Sequence, residues 1–188
     1  NKAAQLLPGQ NGRKILAIGP TATFPGKMWP PDYFSRLLND LSAPGEIFEN
    51  YNFAVFGAPD EIDMAKPLLD SLDKDRCINL IGRTNPGEGA ACLSRCDMYI
   101  GNDSGLMHCA AALNIPTFGL FGPSPEYNYH PWGTKCSYIR TSQSFKELTG
   151  YKGFNPTNIK DSMMKSLQPE QVKEAVKTFA RRQLHTVD

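Results

Sequence analysis

Short apolar runs rich in β-branched and aromatic residues recur along the chain. They are KILAIG at 14–19, FAVFG at 53–57, CINLIG at 77–82, DMYIG at 97–101, PTFGLFG at 116–122 and CSYIR at 136–140. Most are bounded by turn residues and do not alternate apolar with polar, the pattern of strands covered on both faces of a parallel sheet. Helical patterns separate them. PPDYFSRLLNDL opens with prolines and an acid, as a first helical turn does, and sets Phe34, Leu37, Leu38 and Leu41 on one face. PDEIDMAKPLLDSL carries Ile62, Leu68, Leu69 and Leu72, with Pro67 expected to kink or interrupt it. EGAACLSRC and SGLMHCAAAL follow. Residues 141–168 lack a clear period and read as a long surface excursion with short helical turns. PEQVKEAVKTFARRQL reads as a closing helix with Val172, Val176 and Phe179 on one face.

Strands alternating with helices predict an α/β fold, a Rossmann-like doubly wound parallel sheet. With strand order 3-2-1-4-5, the first and fourth strands are neighbours and their following helices lie on opposite faces. A crevice then opens beyond their carboxyl ends, and ligands bind there. The loop after strand one is GPTATFPGKMWP, residues 19–30, and the loop after strand four is GNDSG, residues 101–105. These two segments, dense in glycine and polar residues, are therefore predicted to converge.

GNDSG has the chemistry of an anion site. Gly101 and Gly105 permit turns and close backbone approach. Asp103 or Ser104 is placed to cap the helix that follows, and the unpaired N–H groups of a helix start favour phosphate. In the facing loop Lys27 is placed to neutralise a diphosphate, and Thr21 and Thr23 offer hydroxyls. The competing reading is an ordinary strand–turn–helix with a Ser or Asp cap. His108, on the first turn of the helix, either faces the ligand as a donor or is simply a packed or solvated residue. Glu61, after strand two, suits either ribose hydroxyls or a plain helix start. His130 and His185 receive no role.

Composition narrows the class further. Twenty basic and nineteen acidic side chains leave a net charge of +1, which gives no basic excess for nucleic acid. No run of about 18 apolar residues exists to span a membrane, and no secretory signal opens the chain. The chain starts at Asn1, and its first dozen residues, with Gly9, Asn11 and Gly12, read as a polar linker ending in a turn; residues preceding this segment are expected. The five cysteines, Cys77, Cys92, Cys96, Cys109 and Cys136, are read as free thiols of a reducing compartment. No metal site is expected, because no second ligand pair follows Cys92 and Cys96 at zinc spacing.

GNDSGLMHCAAALNIPTFGLFGPSP, with GPTATFPGKMWPPDYFSRLL upstream, FGAPDE after strand two and the tail DSMMKSLQPEQVKEAV, resembles the glycosyltransferase family 9 heptosyltransferases. The likeness runs roughly from Lys14 to Phe179. That resemblance implies the C-terminal, donor-binding half of a two-domain GT-B enzyme. Residues 1–13 would be the interdomain linker, 14–168 the nucleotide-sugar-binding domain, and 169–188 a helix packing back toward an N-terminal domain. It implies that Thr23 and Lys27 contact the diphosphate and sugar, that Glu61 binds ribose, and that Thr84 lines the adenine pocket. Asp103 would hold a sugar hydroxyl, with Ser104, Gly105, Leu106, Met107 and His108 around the phosphates.

The implied reaction is inverting and metal-independent, with no cofactor beyond the nucleotide-diphospho-sugar substrate, ADP-heptose, and a lipopolysaccharide-core acceptor. The catalytic base would come from the enzyme's own N-terminal domain. The setting implied is the bacterial cytoplasm, with at most peripheral association at the inner face of the inner membrane. Two other classes remain at this point: a nucleotide-sugar-binding module or sugar-nucleotide epimerase of GT-B build, and a serine hydrolase using Ser104. The hydrolase lacks both a G-x-S-x-G block and a visible downstream Asp/His pair.

Overall fold

The structure is a computed structural model that describes residues 2–7 and 12–184. In chain order its elements are α1 (Lys2–Leu6), β1 (Lys14–Gly19), α2 (Pro31–Leu41), β2 (Tyr51–Val55), α3 (Ile62–Ser71), β3 (Cys77–Asn79), α4 (Pro86–Leu93), β4 (Met98–Asn102), α5 (Gly105–Ala112), β5 (Thr117–Phe121), α6 (Glu126–Tyr129), β6 (Cys136–Arg140), α7 (Phe145–Thr149) and α8 (Pro169–Leu184). Single 3-10 turns occur at Pro25–Lys27, Pro59–Glu61 and Pro156–Asn158. Among the described residues the sheet has six strands in the order β3-β2-β1-β4-β5-β6, and every pairing is parallel.

The strands carry apolar residues at both odd and even positions, and this sorts the core into two layers. Leu16, Ile18, Phe53, Val55, Met98, Ile100, Phe118 and Leu120 face the layer covered by α2, α3 and α8. Ile15, Ala17, Ala54, Phe56, Tyr99 and Phe121 face the layer covered by α1, α4 and α5. A sheet buried on both faces has its free ground at the carboxyl ends of its strands, which is where the polar loops emerge.

Two details differ from the sequence reading. Pro67 does not interrupt α3: the helix runs through Ile62–Ser71, forgoing one N–H donor. The opening segment read as a linker contains α1, whose Ala3 lies in the core with the following Leu7. Lys2 reaches Glu88 on α4 at 2.9 Å, and Arg95 donates to the Leu7 carbonyl. Of the turn predicted there, Gly9 and Asn11 lie outside the described residues, as does His185.

The closing helix α8 does not present its apolar face to solvent. Val172, Val176, Phe179 and Ala180 are buried within this domain, with the Phe179 ring 5.4 Å from that of Phe118. Two ion pairs fix its rotation, Lys173–Asp40 at 3.1 Å and Lys177–Glu46 at 2.8 Å. The 141–168 excursion also ends in the core, at Met164 and Leu167.

Candidate functional site

The predicted convergence of the two loops occurs. β1 and β4 are hydrogen-bonded neighbours with Gly19 opposite Gly101, so the loops that leave them start side by side. Lys27 and Asp103 meet as an ion pair, Nζ to Oδ2, at 2.6 Å, with side chains only 17% and 6% exposed. His108 Nε2 lies 3.8 Å from the other oxygen of Asp103 and is itself half-exposed.

Several contacts hold the lysine loop in place. The Trp29 amide donates to Asn102 Oδ1 at 3.0 Å, and Asn102 Nδ2 donates to the Pro20 carbonyl at 2.7 Å. The Trp29 indole is fully buried, against Phe34 and Tyr33, and its Nε1 donates to the Leu167 carbonyl at 2.8 Å. Ser162 Oγ donates to the Met28 carbonyl at 2.5 Å, and the Met163 amide to the Gly26 carbonyl at 3.1 Å. The excursion that shows no periodicity in sequence is thus the outer support of this loop.

Ser104 is the N-cap of α5, in extended conformation, yet its side chain makes no capping hydrogen bond. The first intrahelical bond runs from the His108 amide to the Ser104 carbonyl, so the amides of Gly105, Leu106 and Met107 have no partner within the helix. Beneath this point stands Tyr99, wholly buried, its hydroxyl under Gly19 and Gly101; a Cβ at either glycine would overlap it. Burial holds the Tyr99 pKa well above the ordinary tyrosine value, so the group stays a neutral hydroxyl. Ser104 Oγ is its polar neighbour, and neither atom makes a hydrogen bond of good geometry.

Two chambers meet at the start of α5. The first, of about 780 Å³, is lined by Lys27, Asp103, His108 and Lys160 together with Thr157 and Tyr129. The second, of about 480 Å³, is mainly apolar, with Phe56, Ala58, Pro59, Pro86, Leu106 and Cys109 around Thr84 and Glu61. Thr23, Ser104 and Gly105 line both. The wall between the loops after β2 and β3 is tight: Gly82 has φ +68°, and a Cβ there would approach the Pro59 Cα to 3.0 Å.

Most of the residues singled out in sequence come together here. Thr23, Lys27, Asp103, Ser104, Gly105 and His108 line the first chamber, and Glu61, Thr84 and Leu106 the second. Met107 is the exception: its side chain is fully buried in the core behind α5, because a helix whose first turn faces a cleft must turn the next residues toward the sheet. Only its backbone amide remains at the helix start. Thr21 does not reach the cleft as a free hydroxyl; it donates to Glu61 Oε2 at 2.8 Å, and the Ala58 amide donates to the same oxygen at 2.7 Å. Glu61 therefore closes its own helix start while lining the chamber.

Sequence reasoning missed Asn102, Tyr99, Thr157 and Lys160. Thr157 and Lys160 had one legible signal, the Asn155–Pro156 pair, in which Asn155 Oδ1 accepts from the Thr157 amide and fixes the turn. A hydrolase site does not form, since the Ser104 hydroxyl has no hydrogen bond to His108 or any other base. All five cysteines are free thiols, with Cys92 and Cys96 buried and the other three half-buried.

Comparison with known proteins agrees with this geometry. The chain is 35% identical over 133 residues to lipooligosaccharide heptosyltransferase 2 of Haemophilus influenzae, covering 68% of this chain and 37% of that protein. It is 33% identical over 143 residues to lipopolysaccharide heptosyltransferase 2 of Escherichia coli, covering 74% of this chain and 38% of that protein. In three dimensions it is similar to the E. coli ADP-heptose lipopolysaccharide heptosyltransferase II, with a TM-score of 0.76 at 26% identity, over 96% of this chain and 50% of the other. The chain thus spans half or less of the length of these relatives. The profile of glycosyltransferase family 9 (heptosyltransferase) matches residues 1–153, and with the switch-point site in place the chain belongs to that family.

Proposed function

We propose that this chain is the donor-binding half of a GT-B heptosyltransferase that moves a sugar from a nucleotide-diphospho-sugar, ADP-heptose, to a lipopolysaccharide-core acceptor. One observation carries the reading: a charged chamber and an apolar chamber share a helix start between them. A nucleotide-sugar has the same three parts in the same order. The base and ribose suit the apolar chamber, with Thr84 beside the base and Glu61 Oε1 toward the ribose hydroxyls. The diphosphate suits the amides of Gly105, Leu106 and Met107. The sugar suits the charged chamber, with its hydroxyls on Asp103.

In the transfer, an acceptor hydroxyl oxygen bonds to the anomeric carbon as the bond from that carbon to the phosphate oxygen breaks. The electron pair leaves with the nucleoside diphosphate. Lys27 and the α5 amides stand where that charge develops, and stabilising it is their share of the catalysis. His108 is placed to donate to a phosphate oxygen. The hydroxyl proton passes to a base that we assign to the other half of the enzyme, which makes the transfer a single inverting displacement. The counter-charge comes from these side chains and amides, so the reading calls for no metal ion and no further cofactor.

Among the described residues no helix is long and apolar enough to cross a membrane, and we place the enzyme in the cytoplasm, at most peripheral to the inner membrane. The test is calorimetric titration of the chain with ADP, ADP-sugars and other nucleoside diphosphates. Saturable 1:1 binding that prefers adenine is expected. Absence of binding by every nucleoside diphosphate would overturn the proposal.

A further inference from the structure

Asn102 has no part in the scheme above, yet its side chain is completely buried. Both ends of its amide are used, and both on one loop. Oδ1 accepts from the Trp29 amide at 3.0 Å, and Nδ2 donates to the Pro20 carbonyl at 2.7 Å. The partners fix the amide's orientation without ambiguity, because a backbone N–H only donates and a carbonyl only accepts. Pro20 and Trp29 bracket the segment that carries Thr21, Thr23 and Lys27. Asn102 is the last residue of β4, pairs with Leu120 of β5, and immediately precedes Asp103.

We propose that Asn102 is a positioning residue: its single planar amide closes the 20–29 loop onto the strand end that leads into Asp103, and so holds Lys27 over the anion position. It touches no ligand and acts through Lys27. The proposal rests on the nucleotide reading of the cleft. Its chemistry needs one donor and one acceptor in a fixed plane. A leucine would leave the Trp29 amide and the Pro20 carbonyl without partners in a dry interior. A carboxylate would accept from Trp29 but set a negative oxygen against the Pro20 carbonyl. A neutral carboxylic acid, by contrast, donates and accepts like the amide.

That last point gives the test. Asn102→Asp keeps the shape and makes the clamp switchable. Once the substituted carboxyl is charged, in a series carried from about pH 8 to about pH 9.5, ADP affinity by calorimetry should fall about tenfold. At about pH 5.5 burial favours the neutral acid, and affinity should return to within about threefold of the unsubstituted chain at the same pH. The charged and titratable groups that face this position are Lys27, Asp103, His108 beyond it, and Glu61 through Thr21. Comparison with the unsubstituted chain at each pH removes their own titration. In a Lys27→Ala background, Asn102→Asp should change ADP affinity less than about twofold at either pH, because its route is already cut.

A loss that adds in full to that of Lys27→Ala would overturn the proposal. So would a loss that persists at low pH, or no loss anywhere up to about pH 9.5. If Asn102→Asp unfolds at that pH, Asn102→Ser, too short to span Pro20 and Trp29, carries the Lys27→Ala comparison at a single pH: a loss in the wild-type background that vanishes in the Lys27→Ala background is expected, and a fully additive loss would overturn the proposal. Should the unsubstituted chain bind no nucleotide, the functional reading fails, and amide exchange decides the clamp without a ligand. The Lys27 and Met28 amides, bonded within the loop to Phe24 and Pro25, should exchange about tenfold faster in Asn102→Asp once its carboxyl is charged, with α8 unchanged. Equal exchange would sink the clamp.

Discussion

The two chambers differ in how they are built. The apolar one is framed by segments that leave neighbouring strands directly: Phe56 and Ala58 just past β2, Pro86 at the start of α4, Leu106 and Cys109 on α5. Their places follow from the sheet. The charged one gathers Lys27, Asp103, His108, Tyr129, Thr157 and Lys160 from four separate stretches of chain. Those places depend on loops, and each loop is held by specific hydrogen bonds. Apolar walls need only be near; opposed charges must be held at a distance and depth that backbone alone does not set. The cost of a charged site is therefore a supporting structure of buried polar contacts, which the apolar chamber does not need.

The largest expected effect breaks that supporting structure. Trp29→Ala removes a fully buried ring and the Nε1 bond to Leu167. It should destabilise the fold by about 3–5 kcal/mol, measured by urea unfolding. A cost of under about 1 kcal/mol would mean that the loop is not anchored through the indole. Next in size, Lys27→Ala should weaken both ADP and free pyrophosphate by about 1–3 kcal/mol, the range for charge-assisted hydrogen bonds. The same substitution leaves the buried Asp103 carboxylate without its cation, so the unfolding midpoint should fall as well. Unchanged affinity for both ligands would remove Lys27 from the anion site.

The smallest effect sharpens the contrast by touching the apolar chamber alone. A Cβ at Gly89 would stand 3.5 Å from Thr84 Oγ1, inside that chamber. Gly89→Leu should fill it, weaken ADP by about tenfold, or about 1.4 kcal/mol, and leave pyrophosphate binding unchanged. Parallel losses for both ligands would show that the chambers are not separable.

The strand order and the meeting of the two loops were legible in the sequence because both follow from local pattern plus one topological rule. KILAIG and DMYIG mark β1 and β4, and their adjacency brings Lys27 to Asp103. Asn102 was not legible. Within GNDSG it reads as one more turn residue, and only the folded loop shows that its amide spans Pro20 and Trp29. Met107 was placed at the phosphates by its position in a motif, whereas helical periodicity turns its side chain to the core. Thr157 and Lys160 were lost in a stretch without period, where position is set by tertiary contacts such as Ser162 to Met28. The apolar face of α8 was read correctly as a stripe, but the surface that covers it, α2 and Phe118, is not stated anywhere along the helix itself.

The ion pair between Lys27 and Asp103 has a kinetic consequence. A vacant lysine at the bottom of a cleft projects a field that draws anions from a distance, and salt weakens that attraction. Here the lysine charge is already balanced at 2.6 Å. The field of Lys27 is thereby largely cancelled, and the long-range pull of this chamber is left to Lys160 in its lining. A diphosphate bound as proposed would not fill an empty positive hole; it would compete with a carboxylate for the same ammonium. Its capture is an exchange of partners, whose free energy is the difference between two ion pairs. Discrimination among anions would then turn on how well each one displaces Asp103.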